Sequence, residues 1–215
     1  MKQIDLSRGM VFVTGGGGSI GGAICVEAAR AGAKVAVADF NLDAAKATCE
    51  KIEEIGGTAL AFQMDVTHRD NVGQVMEQAV AELGEMIGLA TGAAILRTGP
   101  VADQSEQGWR DIMSVNVDGT FHAVQAAVPH LTETKGAIVT LGSVSAFIGS
   151  EEGAAYTTTK GAVLSFTYAV AGDLAPRGIR VNAVSPGWVD GGFTHQAMSQ
   201  MENPEQLVET ARRMH

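Results

Sequence analysis

The stretch Met10-Val11-Phe12-Val13-Thr14-Gly15-Gly16-Gly17-Gly18-Ser19-Ile20-Gly21 decides the fold. Met10–Thr14 is a compact apolar run bounded by Gly9 and Gly15, and it reads as a buried strand. The consecutive glycines let the backbone turn sharply and approach a neighbour closely. Ile20–Ala31 then follows with helical spacing and ends at Gly32.

The same alternation continues outward. Lys34–Ala38 reads as a strand, and Asn41 caps a helix that runs to about Ile55 and stops at Gly56-Gly57. Ala59–Gln63 is a third strand. Thr67 with Asp70 resembles a capping box opening a helix to about Leu83. Strands at Gly88–Thr91, Gly136–Leu141 and Ile179–Ala183 alternate with helices at Ser105–Leu131, broken at Gly119 and Pro129, and at Ala154–Leu174. A weak helical pattern covers Pro204–Met214. Strands alternating with helices imply an α/β fold, a doubly wound parallel sheet with helices on both faces. No linker or repeat interrupts residues 1–215, which read as one domain.

Composition narrows the function. The chain has 215 residues, of which 46% are hydrophobic and 18% charged, as in soluble globular proteins. A net charge of -9 repels a phosphate backbone, and Arg212-Arg213 is too small a basic patch to bind nucleic acid. Cys25 and Cys49 form no C-x-x-C pair, so they read as buried thiols in a reducing cytoplasm. His68, His122 and His130 have no metal-ligand spacing. The start, Met1 to Asp5, carries no apolar signal core. The uncharged stretch Gly136 to Ser150 falls short of the roughly 18 residues that suggest a membrane span, and glycine, serine and threonine interrupt it.

The glycine turn points to a dinucleotide. Gly15, Gly18, Ser19, Ile20 and Gly21 bring backbone and a helix N-terminus to a pyrophosphate. Asp39 ends the second strand, where a carboxylate can accept both ribose hydroxyls of NAD and repel the 2′-phosphate of NADP. The turn contains no arginine or lysine, so NAD is favoured over NADP; alternatively, Asp39 merely starts a turn before Asn41. Asp65-Val66 can border an adenine pocket or serve only as turn chemistry.

A second group suggests proton transfer. Tyr156 and Lys160 lie four residues apart in a helical pattern and share one face. An ammonium beside a phenol stabilises the phenolate and lowers its pKa. Tyr156 can then exchange a proton with a substrate hydroxyl. Ser143, at the end of a strand, can bind the same oxygen, with Ser145 as its competitor. Asn116 is a polar misfit inside a predicted helix.

These residues, in this order, resemble the classical short-chain dehydrogenases/reductases from about Leu6 to Val189. The resemblance implies a Rossmann-like fold and hydride transfer between a nicotinamide and a secondary alcohol or ketone. It implies a catalytic set of Asn116, Ser143, Tyr156 and Lys160, with Asn116 holding a relay water. It also implies cofactor contacts from Tyr156, Lys160, Ala93, Val189 and the Pro186-Gly187 turn. A homo-oligomer, dimer or tetramer, is implied as well. The substrate can be a sugar, steroid, acyl thioester or small hydroxy acid, closed over by a loop at about 188–213 that includes Phe193, His195, Met198 and Met201.

Three departures stand out. Ser19 replaces a usual glycine, Thr91-Gly92-Ala93-Ala94 replaces a usual Asn-Asn-Ala-Gly, and Gly191-Gly192 stands where a threonine is common, with Thr194 as a substitute. The family usually continues beyond the position of His215, so a truncated or short chain is expected. The first two departures and the short end favour an alternative, a catalytically impaired dinucleotide-binding sensor or scaffold; the intact catalytic set favours an enzyme more strongly.

Overall fold

The computed structural model describes residues 4–149 and 152–192. Six parallel strands form one sheet in the order β3-β2-β1-β4-β5-β6. They are β1 (Met10–Thr14), β2 (Lys34–Asp39), β3 (Thr58–Gln63), β4 (Met86–Thr91), β5 (Ala137–Leu141) and β6 (Arg180–Val184). The connecting helices are α1 (Ser19–Arg30), α2 (Leu42–Glu54), α3 (Arg69–Leu83), α4 (Glu106–Met113), α5 (Gly119–Thr134), α6 (Ser145–Ile148) and α7 (Ala154–Leu174).

Alternate residues of each strand feed opposite cores. Met10 and Phe12 pack with Val72 and Met76 of α3 and with Ala123 and Leu131 of α5. Val13, Val35 and Val37 pack instead with Cys25 and Ala29 of α1 and with Cys49 and Ile52 of α2. The sheet is therefore covered on both faces, the doubly wound Rossmann-like arrangement. β1 lies between β2 and β4, so the strand order reverses there. Such a reversal opens a crevice at the carboxyl ends of the strands. Gly15-Gly18, Asp39 and Ser143 all follow or end strands at that edge.

Two local expectations are corrected. Thr67 does not cap α3: His68 is the N-cap and makes no side-chain cap bond. Thr67 lies one residue before that cap, since the helix begins only at Arg69, and its hydroxyl donates to Asp65 Oδ1 at 2.7 Å. The helix before β5 is not broken at Gly119, whose backbone is helical (φ -61°, ψ -39°). It widens just earlier into a π turn at Ser114–Asp118, and α5 passes through Pro129. The expected segment Pro204–Met214, Arg212-Arg213 and the loop residues Phe193, Thr194, His195, Met198 and Met201 lie outside the described residues. Among those described, no helix is long and apolar enough to cross a membrane.

Candidate active site

The glycine turn is shaped by contacts that tolerate no side chain. Gly15 has φ +67°, and a Cβ there would lie 2.6 Å from the Ala93 nitrogen. A Cβ on Gly21 would lie 2.0 Å from the Gly15 carbonyl oxygen. The turn is thus pressed between α1 and the segment after β4. Gly92 N–H donates to the Thr14 carbonyl at 2.9 Å, and Ala93 N–H donates to Thr14 Oγ1 at 3.2 Å. These bonds support the central sheet where Thr91-Gly92 departs from the family pattern. The Thr91 hydroxyl is itself buried without a hydrogen-bond partner.

No side chain caps the N-terminus of α1 at Gly18. Its first-turn amides, Ser19 and Ile20 included, have no preceding helical carbonyl to bond, and the helix dipole adds partial positive charge. This cradle fits a pyrophosphate. Asp39 stands beside it: Oδ2 accepts from Gly17 N–H and Oδ1 from Asn41 N–H, both at 2.9 Å. Each oxygen keeps a lone pair for a ribose hydroxyl. Ser19 is exposed and is approached by the segment after β6, since a Cβ on Gly191 would lie 2.6 Å from Ser19 Oγ.

Asp65, expected either to border an adenine pocket or to serve only as turn chemistry, is engaged by its own turn. Asp65 Oδ1 accepts from the Thr67 amide and hydroxyl, and Oδ2 lies 3.1 Å from His68 Nδ1. Burial raises the Asp65 pKa, but the Thr67 hydrogen bonds and the His68 charge outweigh it and hold the carboxyl below its ordinary value. Val66 is buried against α5, where a Cβ on Gly119 would lie 2.6 Å from Val66 Cγ2.

β5 delivers Ser143 at its end, where it is 8% exposed. Gly142 N–H donates to the Val184 carbonyl at 2.8 Å and Val144 N–H to that of Pro186 at 3.1 Å, which holds Pro186-Gly187 beside Ser143. Ser143 Oγ accepts from Ser145 N–H at 3.1 Å and donates to Ser145 Oγ at 3.2 Å, so both serines sit at the site. Tyr156, in the first turn of α7, stands close enough to Ser143 for the serine hydroxyl to act on its phenol. Lys160 lies one turn on and is 5% exposed; its Nζ donates to the Leu141 carbonyl at 2.8 Å and lies 5.7 Å from the Tyr156 ring centroid.

The electrostatics depart from the expectation of a lowered phenol. Burial pushes the Tyr156 phenol above its ordinary value, and the Ser143 hydrogen bond only partly opposes this. Burial brings Lys160 down to about 8. Both shifts have one cause, since a dry site disfavours each charged form.

Asn116 is buried in the π turn, a geometry that recurs at functional sites. Its Oδ1 accepts from Ile95 N–H at 2.8 Å, and its Nδ2 donates to the Ile95 carbonyl at 3.1 Å and to Thr159 Oγ1 at 3.0 Å. Both amide hydrogens are engaged with protein, so a water can approach Asn116 only as a donor. Its main-chain carbonyl accepts from Thr120 Oγ1 at 2.8 Å. Thr159 went unnoticed in the sequence. Its signal was a threonine inside a helix, where β-branching disfavours it. Among the described residues no cluster of potential metal ligands forms.

A family model described as short chain dehydrogenase matches residues 9–202. The chain is 38% identical to 2-(S)-hydroxypropyl-CoM dehydrogenase 3 of Xanthobacter autotrophicus, over 93% of this chain and 79% of that protein. It is 34% identical to cyclopentanol dehydrogenase of Comamonas testosteroni, over 93% and 80%. A solved NAD+-bound xylitol dehydrogenase superposes with a TM-score of 0.88 at 30% identity, covering 98% of this chain and 85% of that one. The chain belongs to the short-chain dehydrogenase family of oxidoreductases.

Proposed function

We propose that this protein is an NAD-dependent dehydrogenase that interconverts a secondary alcohol and a ketone, with Tyr156 as the acid/base. The observation that carries the reading is the buried Lys160 one helical turn from Tyr156, its Nζ 5.7 Å from the ring centroid, with the Ser143 hydroxyl acting on the phenol. In this reading Ser143 binds the substrate oxygen and orients it toward Tyr156. Tyr156 takes the hydroxyl proton in oxidation and returns it in reduction. Lys160 binds the nicotinamide ribose, and its ammonium favours the phenolate. Asn116 keeps the segment at Ile95 and the first turn of α7 in register. The nicotinamide, when bound, supplies the hydride acceptor or donor.

Cofactor choice follows from Asp39, with Ser19, Ile20 and their neighbours at the pyrophosphate and Asp65, Val66, Ala93, Pro186, Gly187 and Val189 lining the remainder. Relatives named for cyclopentanol and hydroxypropyl substrates, and a neighbour named for NAD+ and xylitol, support an alcohol substrate and NAD. A homo-oligomer belongs to the same reading and is checked by light scattering. The test is NAD reduction across a panel of secondary alcohols. Tyr156→Phe should lower kcat roughly 10²–10⁴-fold, the range for a lost acid/base group, while NADH binding persists. Full turnover by Tyr156→Phe would remove the assignment.

A further inference from the structure

The glycine turn is tied from behind by a residue of α2. Thr48 is 4% exposed, and its Oγ1 lies 3.0 Å from the Gly16 carbonyl oxygen and 3.3 Å from that of Ala44. A hydroxyl donates one proton. The Ala44 carbonyl stands one helical turn before Thr48, where it accepts the regular helix bond, and the shorter contact runs to Gly16.

The peptide joining Gly16 to Gly17 is trans, so its C=O and N–H point in opposite directions. The carbonyl meets Thr48, and the N–H meets Asp39 Oδ2 at 2.9 Å. One peptide plane is therefore clamped from both sides. Packing resists sliding of the turn, since a Cβ on Gly17 would lie 2.7 Å from Ala44 Cβ and one on Gly16 2.7 Å from Val37 Cγ1. Packing does not resist rotation of the plane, because glycines on both sides leave the backbone free. The two hydrogen bonds supply that resistance.

We propose that Thr48 is a positioning residue for the cofactor: it locks the Gly16–Gly17 peptide so that the Gly17 N–H holds the Asp39 carboxylate in its ribose-accepting orientation. This rests on the reading of Asp39 as the ribose acceptor. Thr48 acts through the turn and through Asp39. Without its hydroxyl the peptide plane turns, Gly17 releases Asp39, and recognition of the NAD ribose weakens.

The test compares wild type with Thr48→Val, Thr48→Ala and Thr48→Ser by NADH fluorescence titration and by steady-state kinetics with NAD and NADP. The two hydroxyl-free variants should raise the NADH Kd and the KM for NAD roughly three- to tenfold, the scale of one lost hydrogen bond. They should narrow the preference for NAD over NADP and leave kcat at saturating NAD unchanged. Thr48→Ser should restore wild-type values. If Thr48→Val does not fold, Thr48→Ala carries the comparison. Unchanged NADH affinity in a folded hydroxyl-free variant overturns the proposal. So does an equal loss for both cofactors that Thr48→Ser shares, since packing alone would produce it. Failure of the wild-type protein to bind either cofactor would instead remove the underlying dinucleotide reading.

Discussion

Asn116 and Thr159 are joined by a 3.0 Å hydrogen bond that ties the π turn to the helix carrying Tyr156 and Lys160. Thr159 Oγ1 donates onward to the Tyr156 carbonyl at 2.8 Å, so the bond reaches the turn that carries the phenol. Thr159→Val leaves the Asn116 amide with a buried unpaired donor, which costs about 1–3 kcal/mol. Urea unfolding should register that loss and kcat should fall, whereas Thr159→Ser retains the bond and both values. Equal stability in the valine and serine variants would show that the link contributes nothing.

Asp39 accepts from the glycine turn and, in the proposed function, receives the cofactor ribose. Asp39→Ala removes both an acceptor and a negative charge. The KM for NAD should rise roughly tenfold or more, and that for NADP should change less, because the carboxylate repels a 2′-phosphate. An unchanged ratio of the two would take Asp39 out of cofactor discrimination.

Gly21 and Gly172 are both helical glycines with opposite surroundings. A Cβ on Gly21 meets the Gly15 carbonyl oxygen at 2.0 Å, whereas nothing lies within 4 Å of one on Gly172. Gly21→Ala must displace the turn, so a cost of about 1–3 kcal/mol and weaker NADH binding are expected. Gly172→Ala gains helix propensity and should stabilise by roughly 0.5–1 kcal/mol with activity unchanged. Thermal melts with an NADH titration check both.

Lys160 makes stability depend on pH in a defined window. Burial brings its folded-state pKa from 10.5 to about 8, so between these values the unfolded chain binds more protons than the folded one. Stability from this residue therefore rises with pH from about 8 to 10.5, by at most about 3 kcal/mol. Below pH 8 both states are protonated and the burial penalty is complete. Cys25, Cys49 and Tyr156 have raised pKa values and act in the opposite direction at high pH. The quantity to measure is thus the difference between wild type and Lys160→Met in urea unfolding across pH 8–10. A constant difference would mean that Lys160 is not titrating as a buried amine.

The alternation of strands and helices was legible because burial writes a period into the chain. Met10–Thr14, its glycines and α1 could be read in order, as could Ala154–Leu174 to the residue. The Tyr156–Lys160 spacing was legible because a helix places residues four apart on one face. The cap of α3 was not legible at Thr67 because the turn held by Asp65 delays the helix to Arg69, and propensity does not describe that turn.

What the sequence by itself determined is what local chemistry dictates: the parallel α/β alternation, the glycine cradle, Asp39 at a strand end and the tyrosine–lysine face. Only tertiary structure decided which residues stand behind these groups. Thr48 reaches Gly16 across 32 positions and Asn116 reaches Thr159 across 43, and no spacing rule links them. Burial likewise decided the charges, raising the Tyr156 phenol and lowering Lys160, because desolvation depends on everything packed around a group rather than on its neighbours in the chain.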